Sequence, residues 1–154
     1  MGVTGPNGED LPGAVLFACT MNAIRSPMAA SMMKHLYGHH IYIESCGVRA
    51  GTLDPLAVEV MDEIGIDLSH FHPKSFETLA DTSFDLIITL SPQARHKATE
   101  LTRTLAVDVT YWKVPDPSAC DGSREQRLMA YREARDAIRK CIKDQFGAGP
   151  SAEI

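Results

Sequence analysis

The sequence has no surplus of positive charge, no long apolar run and no basic and then apolar pattern at its start, and each absence excludes a class of protein. Its net charge of −5 leaves no basic excess that could displace the counterions of a nucleic acid. No stretch approaches the roughly 20 apolar residues that a membrane span needs. The first residues lack the basic and then apolar pattern of a secretory signal peptide. We therefore expect a cytoplasmic protein that acts on neither nucleic acid nor membrane.

The chain has four cysteines and no CxxC pair among them, which disfavours a zinc ribbon and a thioredoxin motif. In a reducing compartment these cysteines are expected to be free thiols. A length of 154 residues fits one domain. We expect a flexible tail over residues 1–13, a folded domain over 14–146 and a frayed end over 147–154.

Short apolar runs alternate with helical patterns along the domain. Strands are predicted at 14–19, 41–45, 84–90 and 107–111. Helices are predicted at 26–38, 54–64, 92–103 and 124–146, with a shorter one at 76–80. This alternation predicts a three-layer α/β domain, in which a four-stranded parallel sheet carries helices on both faces. Ligands of such folds bind at the carboxyl ends of the strands.

One motif lies at such a strand end. The run Cys19-Thr20-Met21-Asn22-Ala23-Ile24-Arg25-Ser26 joins the first strand to the first helix. A short loop before a helix N-terminus turns its amide groups inward, which makes a nest for an anion and favours the thiolate form of a cysteine. Arg25 could grip two oxygens of a phosphoryl group. Cys19 is the one cysteine of the four that has arginine six residues later.

This run and the helix after it resemble the phosphate loop of low-molecular-weight protein tyrosine phosphatases, and the resemblance extends over about 14–146. It implies that Cys19 is the nucleophile and that Arg25 binds the phosphate. It also implies that Asn22 is left-handed and that Ser26 bonds the nucleophile's sulfur. Ser45 and His70 resemble the residues that brace the loop asparagine.

The family places an Asp-Pro pair after its fourth strand, and Asp116-Pro117 lies there. The resemblance makes Asp116 the general acid that protonates the leaving oxygen. We therefore expect hydrolysis of a phosphate monoester, such as protein phosphotyrosine or a small aryl phosphate, through a phosphocysteine. Neither a metal nor an organic cofactor is expected, and phosphate should bind as an inhibitory oxyanion.

Two alternatives remain open. The second half of the chain resembles the arsenate reductase branch of the same fold, but the segment after the third strand has serine at Ser91 and no cysteine. A reductase of this kind would use external thiols, unless Cys46 or Cys120 acts as a resolving thiol. The other alternative is a phosphate-binding regulator without catalysis.

Overall fold

The computed structural model describes residues 4–79, 83–147 and 149. Four parallel strands form a single sheet in the order β2-β1-β3-β4. The strands are β1 (Ala14–Cys19), β2 (Tyr42–Gly47), β3 (Leu86–Thr89) and β4 (Asp108–Tyr111). The helices are α1 (Arg25–Tyr37), α2 (Pro55–Asp62), α3 (Pro92–Leu101) and α4 (Arg124–Phe146), with a 3₁₀ turn at Pro117–Ala119. The predicted α/β fold is confirmed.

Strand β1 lies inside the sheet and is buried on both faces, which explains its continuous apolar run. Alternate side chains of β1 enter two separate clusters. Val15, Phe17 and Cys19 belong to the larger cluster, which α1 and α4 cover. Leu16 and Ala18 belong to the smaller cluster, which α3 covers.

Three helices begin with side-chain caps, and Ser91 caps α3 by accepting a hydrogen bond from the Ala94 amide at 3.2 Å. Asp54 caps α2 by accepting a hydrogen bond from the Leu56 amide at 2.9 Å, and Pro55 occupies the first helical position. Ser123 and Gln126 form a reciprocal capping box at the start of α4. These caps fix where α2 and α4 begin at the edge of the sheet that carries the phosphate loop.

Two local predictions differ from the structure. The segment predicted as a helix at 76–80 is a hydrogen-bonded turn up to residue 79, where Thr78 bonds back to Ser75, and Ala80 lies outside the described residues. Within the predicted N-terminal tail, Leu11 is buried in the larger cluster and Thr4 pairs with Asp10. Residues 148 and 150–154 of the predicted frayed end lie outside the described residues, and the domain limits stay predictions.

Candidate active site

Residues 19–26, here called the phosphate loop, connect β1 to α1 at the carboxyl edge of the sheet. The chain leaves β1 where its neighbours β2 and β3 lie on opposite sides, which is the switch point of the strand order. Gly47 ends β2 against the loop, and a Cβ atom there would lie 2.6 Å from the Asn22 amide nitrogen. The loop can therefore approach β2 closely only because residue 47 is glycine.

Asn22 holds the centre of the loop in a left-handed conformation, with φ of 53°. Its buried amide group donates from Nδ2 to Ser26 Oγ at 2.8 Å and to Ser45 Oγ at 3.2 Å. Its Oδ1 accepts from the Lys74 amide at 2.8 Å. These bonds come from the loop, from β2 and from the segment near residue 74, so several parts of the chain fix one backbone conformation.

The Cys19 thiol lies beside the hydroxyl of Ser26, with 2.9 Å between Sγ and Oγ. The same Oγ accepts from Asn22 and lies 3.3 Å from the Cys46 carbonyl oxygen, to which it can donate. A hydroxyl has one proton, which can turn from this carbonyl towards sulfur when the sulfur is a thiolate. Ser26 is thus placed to solvate an anionic sulfur in a buried position.

The loop offers donors to an anion. The helix α1 begins without a side-chain cap, and no protein acceptor binds the amides of Met21, Asn22, Ala23 or Ile24 in the described part of the chain. Free amides at a helix N-terminus are the groups that bind phosphate-like anions.

Arg25 is buried, and its Nη1 donates to two backbone carbonyls, those of Leu90 and Val114, each at 3.0 Å. Those carbonyls follow β3 and β4, so the ends of two strands hold the guanidinium beside the loop. Its Nε and Nη2 have no hydrogen-bond partner among the described residues and form a pair of donors suited to two oxygens of one anion.

Asp116 lies across the cavity from the loop. Its Oδ2 is 3.8 Å from Arg25 Nη2, while its Oδ1 accepts from both the amide and the hydroxyl of Ser118, at 3.0 and 2.7 Å. The side chain is 47% exposed. One carboxylate oxygen is therefore fixed, and the other can present a proton to a group bound over the loop.

The loop, Arg25 and Asp116 line one open cavity of about 510 Å³. Its other walls include residues that the sequence did not single out for this site: Gly51, Thr52, Asp54, Pro92, Gln93 and Ser118. Thr20 joins the loop to the third strand's end by donating to Ser91 Oγ at 3.0 Å and lying 3.3 Å from Gln93 Oε1. Of these wall residues, Asp54 is also the cap of α2. The available signal was a second Asp-Pro pair just after β2, at the binding edge of the sheet.

The predicted site residues in the phosphate loop converge as the resemblance implies, and Ser45 joins the Asn22 network. His70 does not. Its side chain is 92% exposed and pairs with Asp67 at 3.7 Å between Nε2 and Oδ2, so it lies in solvent rather than in the Asn22 network. The Lys74 amide makes the bond to Asn22 instead, which no side-chain pattern could reveal.

Neither proposed resolving cysteine lies in the cavity wall. Cys46 pairs with Ala18 in the sheet register and joins the smaller cluster, whereas Cys19 faces the larger one. Burial, followed by the nearby Cys19 charge, raises the pKa of the Cys46 thiol far above its usual range. Cys120 is half-buried just after the Pro117–Ala119 turn.

A family model described as low molecular weight phosphotyrosine protein phosphatase matches residues 14–148. The chain belongs to this family. Curated relatives of the family include an arsenate reductase of Shouchella clausii, 33% identical over 129 residues that cover 84% of this chain and 91% of that protein. An arsenate reductase of Bacillus subtilis is 29% identical, with coverage of 84% and 92%.

Solved structures of this family share the fold. An arsenate reductase in its phosphate-binding state has a TM-score of 0.70 and 26% identity, covering 85% of this chain and 94% of the other. The Erwinia amylovora tyrosine phosphatase amsI has a TM-score of 0.69 at 20% identity, covering 88% and 95%, which supports the fold alone. Among the described residues of this chain, no helix has the length and apolarity to cross a membrane.

Proposed function

We propose that this family member is an arsenate reductase that draws its electrons from thiols outside the chain, with Cys19 as the nucleophile. Similarity to arsenate reductases over 84% of the chain supports the reaction class. The observation that carries the choice over a tyrosine phosphatase is the cavity wall, which contains no aromatic side chain among the described residues. A phenyl ring of phosphotyrosine would find no ring to pack against.

The first step forms a bond between Cys19 sulfur and arsenic. The loop amides and the Nε and Nη2 groups of Arg25 bind the arsenate oxygens and stabilise the added charge of the transition state. The Cys19 thiolate attacks arsenic, and one As–O bond breaks. Asp116 gives its proton to the departing oxygen, which leaves as water. Before the attack, the Ser26 hydroxyl can donate a hydrogen bond to the thiolate sulfur of Cys19.

The second step transfers two electrons. An external thiolate attacks Cys19 Sγ, an S–S bond forms, and the electron pair of the S–As bond stays on arsenic, which leaves as arsenite. A second external thiol then attacks the mixed disulfide and releases the Cys19 thiolate together with an oxidised thiol pair. The position of Cys46 on the other face of the sheet supports a thiol from outside the chain.

A second candidate is hydrolysis of a phosphate monoester through a phosphocysteine. It is favoured by Ser91, a hydroxyl that contacts Thr20 of the phosphate loop at a place where an internal relay would need a thiol. Hydrolysis needs no second thiol, because Asp116 can first act as acid and then activate water.

A paired assay separates these functions. One arm measures arsenate reduction with glutathione, glutaredoxin or thioredoxin systems, and the other measures hydrolysis of an aryl phosphate. We expect Cys19-dependent reduction and weak hydrolysis, with Cys19→Ser as the inactive control. Hydrolysis without reduction would replace the proposal by a phosphatase. Phosphate binding without either reaction would indicate a regulator.

The source of the second thiol is tested separately. With arsenate and limiting thiol, mass spectrometry should find the external thiol on Cys19, and Cys120→Ser should reduce arsenate at the wild-type rate. A disulfide between Cys19 and another cysteine of the chain, lost with activity in Cys120→Ser, would contradict the external route.

A further inference from the structure

Asp54 is held more firmly than a helix cap requires. Its amide donates to the Ala23 carbonyl in the phosphate loop at 3.2 Å, and its Oδ1 accepts from the Leu56 amide. Its Oδ2 accepts a hydrogen bond of 2.6 Å from the hydroxyl of Tyr131, a side chain of α4 that is only 1% exposed. Asp54 is thus fixed to the loop, to α2 and to α4 at once.

Tyr131 stays a donor to this carboxylate at any ordinary pH. Burial, followed by its hydrogen bond to Asp54, raises the pKa of the Tyr131 hydroxyl well above its usual range. Asp54 and Asp116 lie in the wall of the same cavity. A carboxylate that accepts two hydrogen bonds keeps lone pairs for a ligand, since each oxygen offers more than one.

The ionisable side chains of the cavity wall are unbalanced. Besides Cys19 they are Arg25, Asp54 and Asp116, one cation against two carboxylates. Arg25 lies at the floor, where a bound oxyanion would take its free donors. The negative charge of Asp54 and Asp116 therefore faces any substituent of the bound anion that extends towards the mouth of the cavity.

We propose that Asp54 is a specificity-determining residue. Together with Asp116 it favours thiols, and substituents of a bound anion, that are neutral or cationic, and it disfavours those that bear a carboxylate. The inference rests on the proposed function, because the thiol that reaches Cys19 must pass these two carboxylates. A cationic aminothiol would be attracted to the mouth and a mercaptocarboxylate repelled. The same selection acts on the leaving group of any phosphate ester that enters.

Binding tests the inference without any turnover. The probes are two phenylphosphonates, one with a para-trimethylammonium group and one with a para-carboxylate, titrated calorimetrically at low ionic strength. We expect the wild type to bind the cationic probe roughly tenfold more tightly, because the probes differ by two charge units and both screened carboxylates, Asp54 and Asp116, contribute. Added salt should reduce the ratio.

Asp54→Asn is the informative variant, because asparagine caps a helix as well as aspartate: its Oδ1 can accept from the Leu56 amide, and its Nδ2 can donate to the Tyr131 hydroxyl oxygen. We expect this variant to lower the affinity ratio by at least about threefold. Asp62→Asn, which removes an exposed carboxylate at the far end of α2, is the matched control and should keep the wild-type ratio.

Three results would overturn the inference: equal binding of both probes by the wild type, an unchanged ratio in Asp54→Asn, or failure of both probes under conditions where inorganic phosphate binds. None of these depends on arsenate reduction. Absence of reduction with a ratio that responds to Asp54→Asn would instead reject the proposed reaction and keep the charge selection.

Discussion

The floor and the mouth of the cavity are built in different ways. At the floor, Asn22 and Ser26 are fully buried and each has several protein partners. At the mouth, Asp116 is about half exposed and Thr52, Gln93 and Ser118 line an open wall. The floor can hold a tetrahedral oxyanion of either phosphorus or arsenic. The mouth decides what may approach that anion, so proteins with one floor can differ in reaction.

At the floor, we expect the largest loss of turnover from a change at Cys19, the proposed nucleophile. Cys19→Ser should lower turnover at least about 10³-fold, because a serine hydroxyl is a much weaker nucleophile and cannot form the S–S bond of a reduction. Phosphate should still bind, since the loop amides and Arg25 remain. Steady-state rates and phosphate titration check this, and substantial residual turnover would remove Cys19 from its role.

At the mouth, we expect the largest loss of turnover from a change at Asp116, the proposed acid. Asp116→Asn should lower the rate about 10²-fold, because the departing oxygen loses its proton donor. In the aryl phosphate arm the loss should grow as the leaving group becomes poorer. Equal losses for good and poor leaving groups would show that Asp116 acts only through charge.

The loop conformation is the next most sensitive feature. Asn22→Ala removes the bonds to Ser26, Ser45 and Lys74 and strains a left-handed backbone, so stability should fall by about 2–3 kcal/mol. Turnover should fall roughly tenfold or more, as misplaced groups lose their alignment.

Asn22→Gly separates the two causes. Glycine accepts the left-handed backbone but lacks the side-chain bonds, so its turnover should stay low while part of the stability returns. The two variants are compared by thermal unfolding and by their steady-state turnover rates. Recovery of full turnover in Asn22→Gly would mean that the bonds to Asn22 are dispensable.

The smallest expected effect lies behind the mouth, where α2 meets α4. Arg132, followed by Arg135, holds the pKa of Glu63 down at about 2, against an ordinary 4.5. A lowered pKa stabilises the folded state above about pH 4.5, and this contribution is lost as the pH falls towards 2.

Glu63 is partly exposed, so solvent screening limits the contribution to on the order of 1 kcal/mol. Chemical unfolding between these pH values should show it. Glu63→Gln should flatten the pH dependence over that range, whereas Glu133→Gln, on an exposed part of α4, should leave it as it is. If the free energy of unfolding changes with pH by the same amount in both variants, the effect comes from other carboxylates.

The floor and the mouth of the cavity also differ in how far the sequence could predict them. The floor is one contiguous motif between an apolar strand and a helix, so its residues could be predicted, and the family resemblance implied the left-handed Asn22. The Lys74 amide could not, because a backbone donor leaves no trace in the residue type. The Asp54-Pro55 pair at the start of a helix indicates a cap, but the bond of Asp54 to Tyr131 joins residues 77 positions apart and depends on how α2 packs on α4.

Sheet register decided a question that residue spacing left open. Cys46 lies in β2, and its expected place at the end of a strand beside the first one made it a candidate partner of Cys19. Ala18, not Cys19, pairs with Cys46, and side chains alternate between faces along a strand. A shift of one position in pairing, invisible in the sequence, places the two thiols on opposite sides of the sheet.

The bonds to Asn22 also link anion binding to folding. Ser26, Ser45 and Lys74 meet only after strand β2 and the segment near residue 74 have docked, so an unfolded chain has no nest. A ligand that binds only the folded chain stabilises it, by about 2.7 kcal/mol at 100 times its dissociation constant. Inorganic phosphate, the expected inhibitor, should thus also stabilise the fold, and we expect the oxyanion concentration to set how much of a destabilised variant stays native.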